Sequence, residues 1–405
     1  MILTQCAACA APLGLASGKK CGRCSTRYCG PACQKQHWDG GHKELCRRIK
    51  KGGGAEQYHA DKKYKEAVAD AVEACANNTK GQTCYICLEA VHARTGEGLV
   101  RGCACGDRES VASGNTGVAH VSCLAEQAKI LYDEAEENNL DDEAQHVRWL
   151  RWDTCGLCEQ QYHGAVLCAL GWACWKTYVG RPETDWTRCK AMGKLGCGLC
   201  GSRRWADALP VLEARLSTMT RLNLGTEPDM LLAYANVANT YQMLGKLEQA
   251  MPMRMEAYSR SLRILGAEHR NTLIEVSNYS DLLNRLDRHD EAKLLMRKAL
   301  PVARRVLGED DRTTLWMRCV YSDTLYYDQE ECINTLEDTF RIARRVLGGA
   351  HPDVVRIEQD LAYQRAVRRR VYLYFGILWG ALVLAISAGV WFVWLNLPAS
   401  PGSVS

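Results

Sequence analysis

Sixteen cysteine and histidine residues in the first 158 positions constrain the fold of this 405-residue chain more than any other feature. Thiolate and imidazole are ligands that zinc prefers, and a closed structural zinc site takes four of them. The residues form two clusters of eight, so each cluster predicts two zinc ions and a small fold held by metal. The first cluster is Cys6, Cys9, Cys21, Cys24, Cys29, Cys33, His42 and Cys46; the second is Cys84, Cys87, Cys103, Cys105, His120, Cys123, Cys155 and Cys158.

The net charge bears on possible partners, and the N-terminal sequence bears on whether the cysteines bind metal or form disulfides. The formal net charge is +4, and from this near balance we expect no nucleic-acid partner. The N-terminal residues MILTQCAACAAP include no basic stretch followed by an apolar run, so we expect no secretory signal. In a reducing cytosol clustered cysteines bind metal, whereas in secreted chains they form disulfides. The 22 cysteines therefore favour zinc, four ions in all, over disulfides.

The chain from about Cys189 onwards repeats with a period of 42 residues. Residues 244–266 return as residues 286–308, and the string ARRVLG occurs at Ala303 and again at Ala343. Each unit has the apolar spacing of two amphipathic helices joined by a Gly or Asp turn. A single pair cannot bury its own apolar face, so the pairs are predicted to stack into an α-solenoid.

An uncharged apolar run at residues 371–395 predicts a transmembrane helix. Its length suffices to cross a hydrocarbon layer of about 30 Å, and aromatic residues stand at both of its ends. Arginines precede it at 365 and 368–370, whereas the tail at 396–405 has no basic residue. The expected localisation is therefore a single-pass, tail-anchored membrane protein with a cytosolic N-terminus. The endoplasmic reticulum is favoured because mitochondrial tail anchors typically have a basic tail.

These features predict a mainly α fold, with two small zinc modules followed by an α-solenoid and one transmembrane helix. The expected segments are 1–50, the first zinc module; 51–82, a linker and spacer helix; 83–165, the second zinc module with a helical insert; 166–225, a helical connector and divergent first repeat; 226–370, the repeats and a capping helix; 371–395, the membrane helix; and 396–405, a short tail.

The first cluster resembles a MYND zinc finger over residues 6–46. The spacings C-x-x-C, C-x-x-C, C-x4-C, C-x3-C and H-x3-C fit that family, as does Trp38 before His42. The resemblance implies a cross-brace, with His37 as the competing ligand, and short proline-containing peptides as partners. The alternative is a finger that only folds. The implied ligand sets are Cys6, Cys9, Cys29 and Cys33 on one zinc, and Cys21, Cys24, His42 and Cys46 on the other.

The second cluster resembles a RING-CH finger, the RING variant of membrane-associated ubiquitin ligases. Four cysteines, one histidine and three cysteines follow in that order, with a C-x-C pair at Cys103 and Cys105. The sequence departs from the family at Gln127, where a tryptophan is expected, and at Glu159, a position that is often a cation in active RINGs. The implied ligand sets are Cys84, Cys87, His120 and Cys123, and Cys103, Cys105, Cys155 and Cys158. The implied candidate contacts for a ubiquitin-conjugating enzyme are Ile86, Leu88, Trp152 and Leu157.

The repeats resemble tetratricopeptide units of the kinesin-light-chain type. The 42-residue period, the Leu-Gly that ends each second helix and the turns at 266–272 and 348–354 carry the resemblance. It implies a concave groove that holds peptides. Asn236 and Asn278 occupy equivalent positions on first helices and are candidate peptide-binding residues, because carboxamides can bond a peptide backbone. The alternative is that both are ordinary solvated residues.

Together these features predict a zinc-binding, tail-anchored adaptor with a RING-type ubiquitin-protein ligase module. Such a module has no catalytic residue of its own and acts by holding a charged conjugating enzyme near its substrate. The finger and the repeats would bind substrate peptides. The alternative function is a non-catalytic, membrane-anchored scaffold in which all the modules only bind.

Overall fold

The structure is a computed structural model, and it describes residues 5–11, 13, 18–103, 105, 117–325 and 328–395. Within these ranges it contains fifteen α-helices and one two-stranded sheet. The predicted mainly α-helical solenoid with an N-terminal zinc-binding region is confirmed. The predicted tail at 396–405 lies outside the described residues.

The first zinc module is a hairpin followed by two short helices. A π-type turn joins the helices, and within it Gly41 has a φ of 112°, which glycine adopts without steric cost. The bend directs His42 into the interior, where it is buried beside Tyr28 and Ile49. The elements are strands β1 (Lys19–Lys20) and β2 (Arg27–Tyr28), paired antiparallel, and helices α1 (Pro31–His37) and α2 (Lys43–Lys51).

The predicted linker is an ordered turn followed by a long packed helix, α3 (Ala55–Thr79). The Ala55 N–H donates to the Cys24 carbonyl at 2.8 Å, which ties the start of α3 to the first module. Ala60, Ala67 and Ala71 are buried along one face of α3. Small side chains on that face allow close approach of helix α6 (Gly164–Tyr178), so α3 is part of the core rather than a spacer.

The second zinc module shares its core with the helices around it. One hydrophobic cluster includes Cys84, Cys105 and Cys155 of the module and extends through α3 and α6 to Leu212. The helical insert contributes Tyr132 to this core, with an exposed fraction of 1%. The elements of the module are α4 (Val121–Glu137), α5 (Asp142–Trp149), a 3-10 turn (Leu150–Trp152) and two isolated bridges, Val100 with Ala119 and Thr154 with Gln161.

Helices from α6 onwards stack in chain order, each mainly against its sequence neighbours. Glycines with positive φ end three of the second helices, at Gly266 (83°), Gly308 (90°) and Gly348 (86°). These are the Leu-Gly sites of the repeat, and glycine is the residue that such a helix end favours. The remaining helices are α7 (Trp186–Gly201), α8 (Trp205–Leu222), α9 (Glu227–Met243), α10 (Leu247–Leu265), α11 (Arg270–Arg285), α12 (His289–Leu307), α13 (Arg312–Asp323), α14 (Gln329–Leu347) and α15 (Pro352–Leu395).

The C-terminal repeats return to contact the second zinc module. Gln160 donates through Nε2 to the Val346 carbonyl at 3.0 Å, and Arg312 donates to Gln161 Oε1 at 2.7 Å. The rings of His163 and His351 lie edge to face, 5.1 Å apart. The solenoid and the zinc module therefore form a closed arrangement rather than an open arc.

The predicted transmembrane helix at 371–395 is wrong. No helix in the part of the chain that the structure describes is long and apolar enough to cross a membrane. The apolar run is not an element of its own, because it continues α15, whose first half buries Val354, Ile357 and Leu361 in the array. The predicted tail-anchored localisation in the endoplasmic reticulum depended on that span and is wrong for the same reason.

Candidate metal centres

The structure brings the sixteen cluster residues together in four groups of four. Within each group the candidate ligand atoms all lie within 4.8 Å of one another. In each module the two groups interleave along the chain, so that each module is cross-braced. The groups are Cys6, Cys9, Cys29 and Cys33; Cys21, Cys24, His42 and Cys46; Cys84, Cys87, His120 and Cys123; and Cys103, Cys105, Cys155 and Cys158.

Each group contains one C-x-x-C turn, and the four turns share a single backbone geometry. In each, the N–H of the residue after the second cysteine donates to the carbonyl of the first cysteine. That residue is non-glycine with a positive φ in every case, an uncommon backbone state. The four donors are Ala10 (φ 57°, 2.9 Å), Ser25 (φ 61°, 2.9 Å), Leu88 (φ 65°, 2.8 Å) and Glu159 (φ 58°, 3.0 Å).

The same turns direct backbone N–H groups at the first sulfur. The N–H of Ile86 lies 3.4 Å from Cys84 Sγ, and that of Leu157 lies 3.4 Å from Cys155 Sγ. Burial raises the pKa of the Cys6 thiol, but backbone N–H groups of Cys9, Cys29 and Ala8 outweigh it and lower the pKa to about 6. These donors stabilise the thiolate, which is the form that binds metal.

The separations between ligand atoms fit zinc and exclude disulfides. A tetrahedral site with Zn–S bonds of about 2.3 Å has S···S edges of about 3.8 Å. The observed Sγ···Sγ distances are 3.7 Å for Cys9 and Cys29, 3.8 Å for Cys21 and Cys46, 3.6 Å for Cys105 and Cys155, and a shorter 3.3 Å for Cys29 and Cys33. A disulfide needs about 2.05 Å, and all 22 cysteines are free. The donor sets are compatible with structural zinc.

The two histidines present different ring nitrogens to their groups. His42 faces its group through Nε2, 3.4 Å from Cys24 Sγ, whereas His120 faces its group through Nδ1, 3.3 Å from Cys87 Sγ. His37, the competing ligand, stacks on His42 with ring centroids 4.7 Å apart and lies outside the four groups. The Nδ1 atom of His37 lies 3.0 Å from the Tyr28 hydroxyl. His37 is thus held in place by Tyr28 and packs against the ring of the candidate ligand His42.

Three of the four candidate contacts for a conjugating enzyme are accessible. Leu88 and Leu157 have exposed fractions of 74% and 39%, and Ile86 is half-buried. Trp152 does not lie at the surface, because it is 1% exposed within an aromatic cluster with Trp149 and Tyr178. The accessible three stand on the C-x-x-C turns at residues 84–88 and 155–159.

A cation that the sequence analysis missed lies beside the last of these turns. Arg151 donates through Nη1 to the Cys155 carbonyl at 3.3 Å, while Glu159 is exposed. A side chain added at Gly156 would lie 3.9 Å from Arg151 Nη1 and 4.0 Å from Gln127 Oε1. The guanidinium therefore comes from the 3-10 turn before the ligands. Arg151 stands four residues before Cys155 and belongs to no recognisable motif, so the sequence alone did not indicate it.

A cavity of about 580 Å³ lies where the array faces the second zinc module. Three arginines from successive first helices lie along it, at Arg270, Arg312 and Arg356, together with Trp316. The Arg356 guanidinium stacks over the Trp316 ring at 4.5 Å. Its lining residues are Gln161, Asn239, Arg270, Ile274, Arg312, Thr313, Leu315, Trp316, Cys319, Ala343, Leu347, Asp353, Arg356 and Ile357.

The two asparagines predicted to bind peptide do not line this cavity. Asn236 is half-buried and its Nδ2 lies 3.8 Å from Cys197 Sγ on α7. Asn278 is half-buried and bonds the Glu275 carboxylate, which lowers the pKa of that group against the larger effect of burial. Both carboxamides are engaged within the array. Their role in peptide binding stays a prediction.

Carboxylates are close together at the opposite end of the same first helices. Desolvation by the surrounding helices, followed by the charges of Asp281 and Asp360, raises the pKa of Asp323 to about 7, although part of the residue is exposed. Arg312 and Asp323 stand eleven residues apart on α13, about 16 Å along the helix. Beside the zinc module the arginines are balanced in part by carboxylates, since Arg270 pairs with Asp311 at 2.6 Å and Arg312 with Asp353 at 3.2 Å.

Replacing Asp323 with Asn is expected to stabilise the array near neutral pH. A carboxyl whose pKa is raised on folding costs stability as pH rises from its unfolded value towards the folded value of about 7. The gain in Tm should be about one to two degrees at pH 7.5, because partial exposure screens the charges, and should shrink towards pH 5.5. Asp70→Asn, at an exposed carboxylate within α3, is the control and should not change Tm. An equal gain at both pH values would contradict the pKa shift.

Comparison with known proteins supports two of the three resemblances. The MYND finger family matches residues 6–46, and the tetratricopeptide repeat family matches residues 230–271 and 277–312. No curated protein matches the chain. The chain thus contains a MYND finger and tetratricopeptide repeats.

Solved structures to which the chain is similar include kinesin-light-chain proteins. One is a putative kinesin light chain from Podosopora anserina with nearly identical TPR-like repeats, at 16% identity and a TM-score of 0.35, covering 56% of this chain and 97% of that one. Another is BtubC (BKLC) from P. vanneervenii, at 14% identity and a TM-score of 0.38, covering 70% of this chain and 96% of that one.

Proposed function

We propose that this protein is a zinc-dependent interaction adaptor whose second zinc module is a RING-CH-type ubiquitin ligase. The observation that carries the proposal is the cross-braced pair of groups at residues 84–158, with apolar side chains outward on two of its C-x-x-C turns. Each of the two groups would hold one zinc ion, as would each group of the first module, which makes four ions per chain.

The ligase would act by position rather than by chemistry of its own. Ile86, Leu88 and Leu157 would contact the conjugating enzyme, and Arg151 would supply the cation that Glu159 does not. Holding the thioester of that enzyme near a substrate lysine converts a bimolecular encounter into an intramolecular one. The cavity of the array opens beside the same module, so a peptide bound there would lie close to the enzyme.

The substrate-binding parts are the first zinc module and the repeats. The MYND finger would bind short proline-containing peptides, and the repeats would bind an extended segment along their inner face. Two weak sites on one chain strengthen each other through effective concentration. A non-catalytic scaffold is the second candidate function, and Glu159 and Gln127 favour it because both depart from the residue types of active RINGs.

Substitution of the candidate contact residues is expected to slow ubiquitin transfer about tenfold or more without loss of metal. Ile86→Ala removes an apolar contact of about 1–3 kcal/mol at an interface hot spot, which would slow transfer roughly tenfold or more. Arg151→Ala should have a similar effect, and Glu159→Arg should increase transfer. Autoubiquitination of the full-length protein against a panel of conjugating enzymes measures the rates, and metal analysis checks the zinc content.

Val91→Ala is the matched control, since Val91 is a 57% exposed apolar residue outside the C-x-x-C turns. Its transfer rate should equal that of the wild type. Absence of transfer by the fully metallated wild type with every conjugating enzyme would reject the ligase and leave the scaffold.

A further inference from the structure

The first zinc module has a charge quite unlike that of the rest of the chain. Residues 1–54 contain ten Lys and Arg against two acidic residues, a formal net charge of +8, so the other 351 residues together carry −4. Two zinc ions and the seven thiolates of the module would change its charge to +5. The whole-chain value of +4, from which we expected no nucleic-acid partner, averages out this asymmetry.

Nearly all of these cations face solvent. Arg27 is buried, and the other nine are exposed. None of the nine forms an ion pair with a carboxylate within the described ranges of the chain, so their charge is not neutralised internally. They are Lys19, Lys20, Arg23, Lys35, Lys43, Arg47, Arg48, Lys50 and Lys51.

Helix α2 concentrates five of the nine on one surface. At about 100° per residue, its cations cover an arc of roughly 160° on the side opposite Cys46 and Ile49, which are buried in the module. The arc contains one acidic residue, Glu44. We refer to Lys43, Arg47, Arg48, Lys50 and Lys51 as the α2 basic face.

The composition of this surface distinguishes between partners. Protein interfaces are anchored by apolar and aromatic side chains and are depleted of charge at their centres. Around the α2 basic face Leu45, at 41% exposed, is the one large apolar side chain with substantial exposure in the described part of the module. Single-stranded nucleic acids bind mainly by stacking on exposed aromatic rings. Tyr28 is buried and Trp38 half-buried, so the described module presents no such platform.

We propose that the α2 basic face binds the phosphate backbone of duplex nucleic acid without reading its sequence. The nine residues of α2 extend about 13 Å. A duplex carries one phosphate per about 1.7 Å of its axis with both strands counted, so about 13 Å of duplex presents about eight phosphates, enough for all five cations of the face. Association releases the counterions condensed on those phosphates, which makes the affinity strongly dependent on salt.

Binding of the full-length protein to a labelled 20-base-pair DNA duplex of mixed sequence tests this. Fluorescence anisotropy between 50 and 200 mM KCl should give a plot of log K against log salt with a slope of about −4 to −5, as expected for five phosphate contacts. Arg47→Ala/Lys51→Ala should reduce the slope by about 2 and weaken binding at 50 mM KCl roughly tenfold to a hundredfold. Both positions are exposed on a helix, so zinc content and helicity should stay unchanged.

Arg263→Ala/Lys298→Ala is the matched control, because it removes the same charge from exposed positions of the repeats. It should bind as the wild type does. Equal loss in both double variants, or no binding at 50 mM KCl, would overturn the proposal. So would tighter binding of a single strand of the same length. Variant-sensitive binding of polyglutamate or of phosphatidylserine vesicles, with none of the duplex, would assign the face to an acidic protein or a membrane instead.

Discussion

Removal of zinc from the purified full-length protein is expected to unfold it in two separable stages. Each structural zinc contributes on the order of 10 kcal/mol to the folding of a small module. The first module has its own core, around Tyr28 and Ile49, and two of its ligands, Cys9 and Cys29, are exposed. A chelator should therefore remove its zinc first, with loss of that module alone.

The second stage should remove much of the helical structure. Ligands of the second module, including Cys84 and Cys155, belong to the same hydrophobic cluster as α3, α6 and α7. Chromophoric detection of released zinc together with far-ultraviolet circular dichroism follows both stages. Wild-type protein should release close to four ions per chain, and two or fewer would eliminate one metallated module.

Single ligand substitutions should reproduce the same asymmetry. Cys24→Ser is expected to unfold the first module and leave the second folded, whereas Cys84→Ser should destabilise the whole central core. Cys168→Ser is the matched control, because Cys168 is buried at 3% exposure but belongs to none of the four groups. An intact helical core in Cys84→Ser would show that the second module is not part of that core.

Loss of one buried arginine is expected to have the next largest effect. Arg254 is 0% exposed, and its Nη1 lies 3.4 Å from Glu275 Oε2. Burial lowers the pKa of Arg254 and raises that of Glu275, each towards its neutral form, so desolvation of both charges outweighs their attraction. Arg254→Met would leave a buried carboxylate without its counter-charge, which costs about 3–5 kcal/mol.

The double variant Arg254→Met/Glu275→Leu should recover most of that loss, because it buries no charge at all. Urea unfolding followed by circular dichroism measures both. The single variant should lose less stability at pH 5.5 than at pH 8, since Glu275 takes up a proton more readily at the lower pH. Arg260→Met, on the same helix but partly exposed, should cost less than about 1 kcal/mol. Equal destabilisation of the single and double variants would attribute the effect to packing.

Local patterns in the sequence predicted most of the fold. The spacing of the C-x-x-C pairs indicates a turn of a few residues, and the 42-residue period indicates contacts between adjacent helix pairs. Both depend on short separations along the chain. The Leu-Gly sites at 266, 308 and 348 were likewise visible, because a positive φ at a helix end selects for glycine.

The sequence was a poor guide where a residue's main contacts are far away along the chain, or where the outcome depends on which way a side chain points. Trp152 was expected at the surface, but α6 and the insert enclose it. The apolar run at 371–395 was interpreted as a separate span because its composition does not show that it continues α15. The repeat period placed Asn236 on a first helix but could not show that its amide lies beside Cys197, and its role in peptide binding stays a prediction. Arg151 donates a hydrogen bond to the Cys155 carbonyl of a ligand turn, but it belongs to no sequence motif.

The contacts of Gln160 and Gln161 with the last repeats give this array a fixed length. An ordinary solenoid gains or loses units with little penalty, since each unit touches only its neighbours. Here the insertion or deletion of one 42-residue unit would move Val346 and Arg312 away from Gln160 and Gln161, and both hydrogen bonds to the zinc module would be lost. Variation among related sequences should therefore accumulate within units, while the number of units between residues 186 and 352 stays constant.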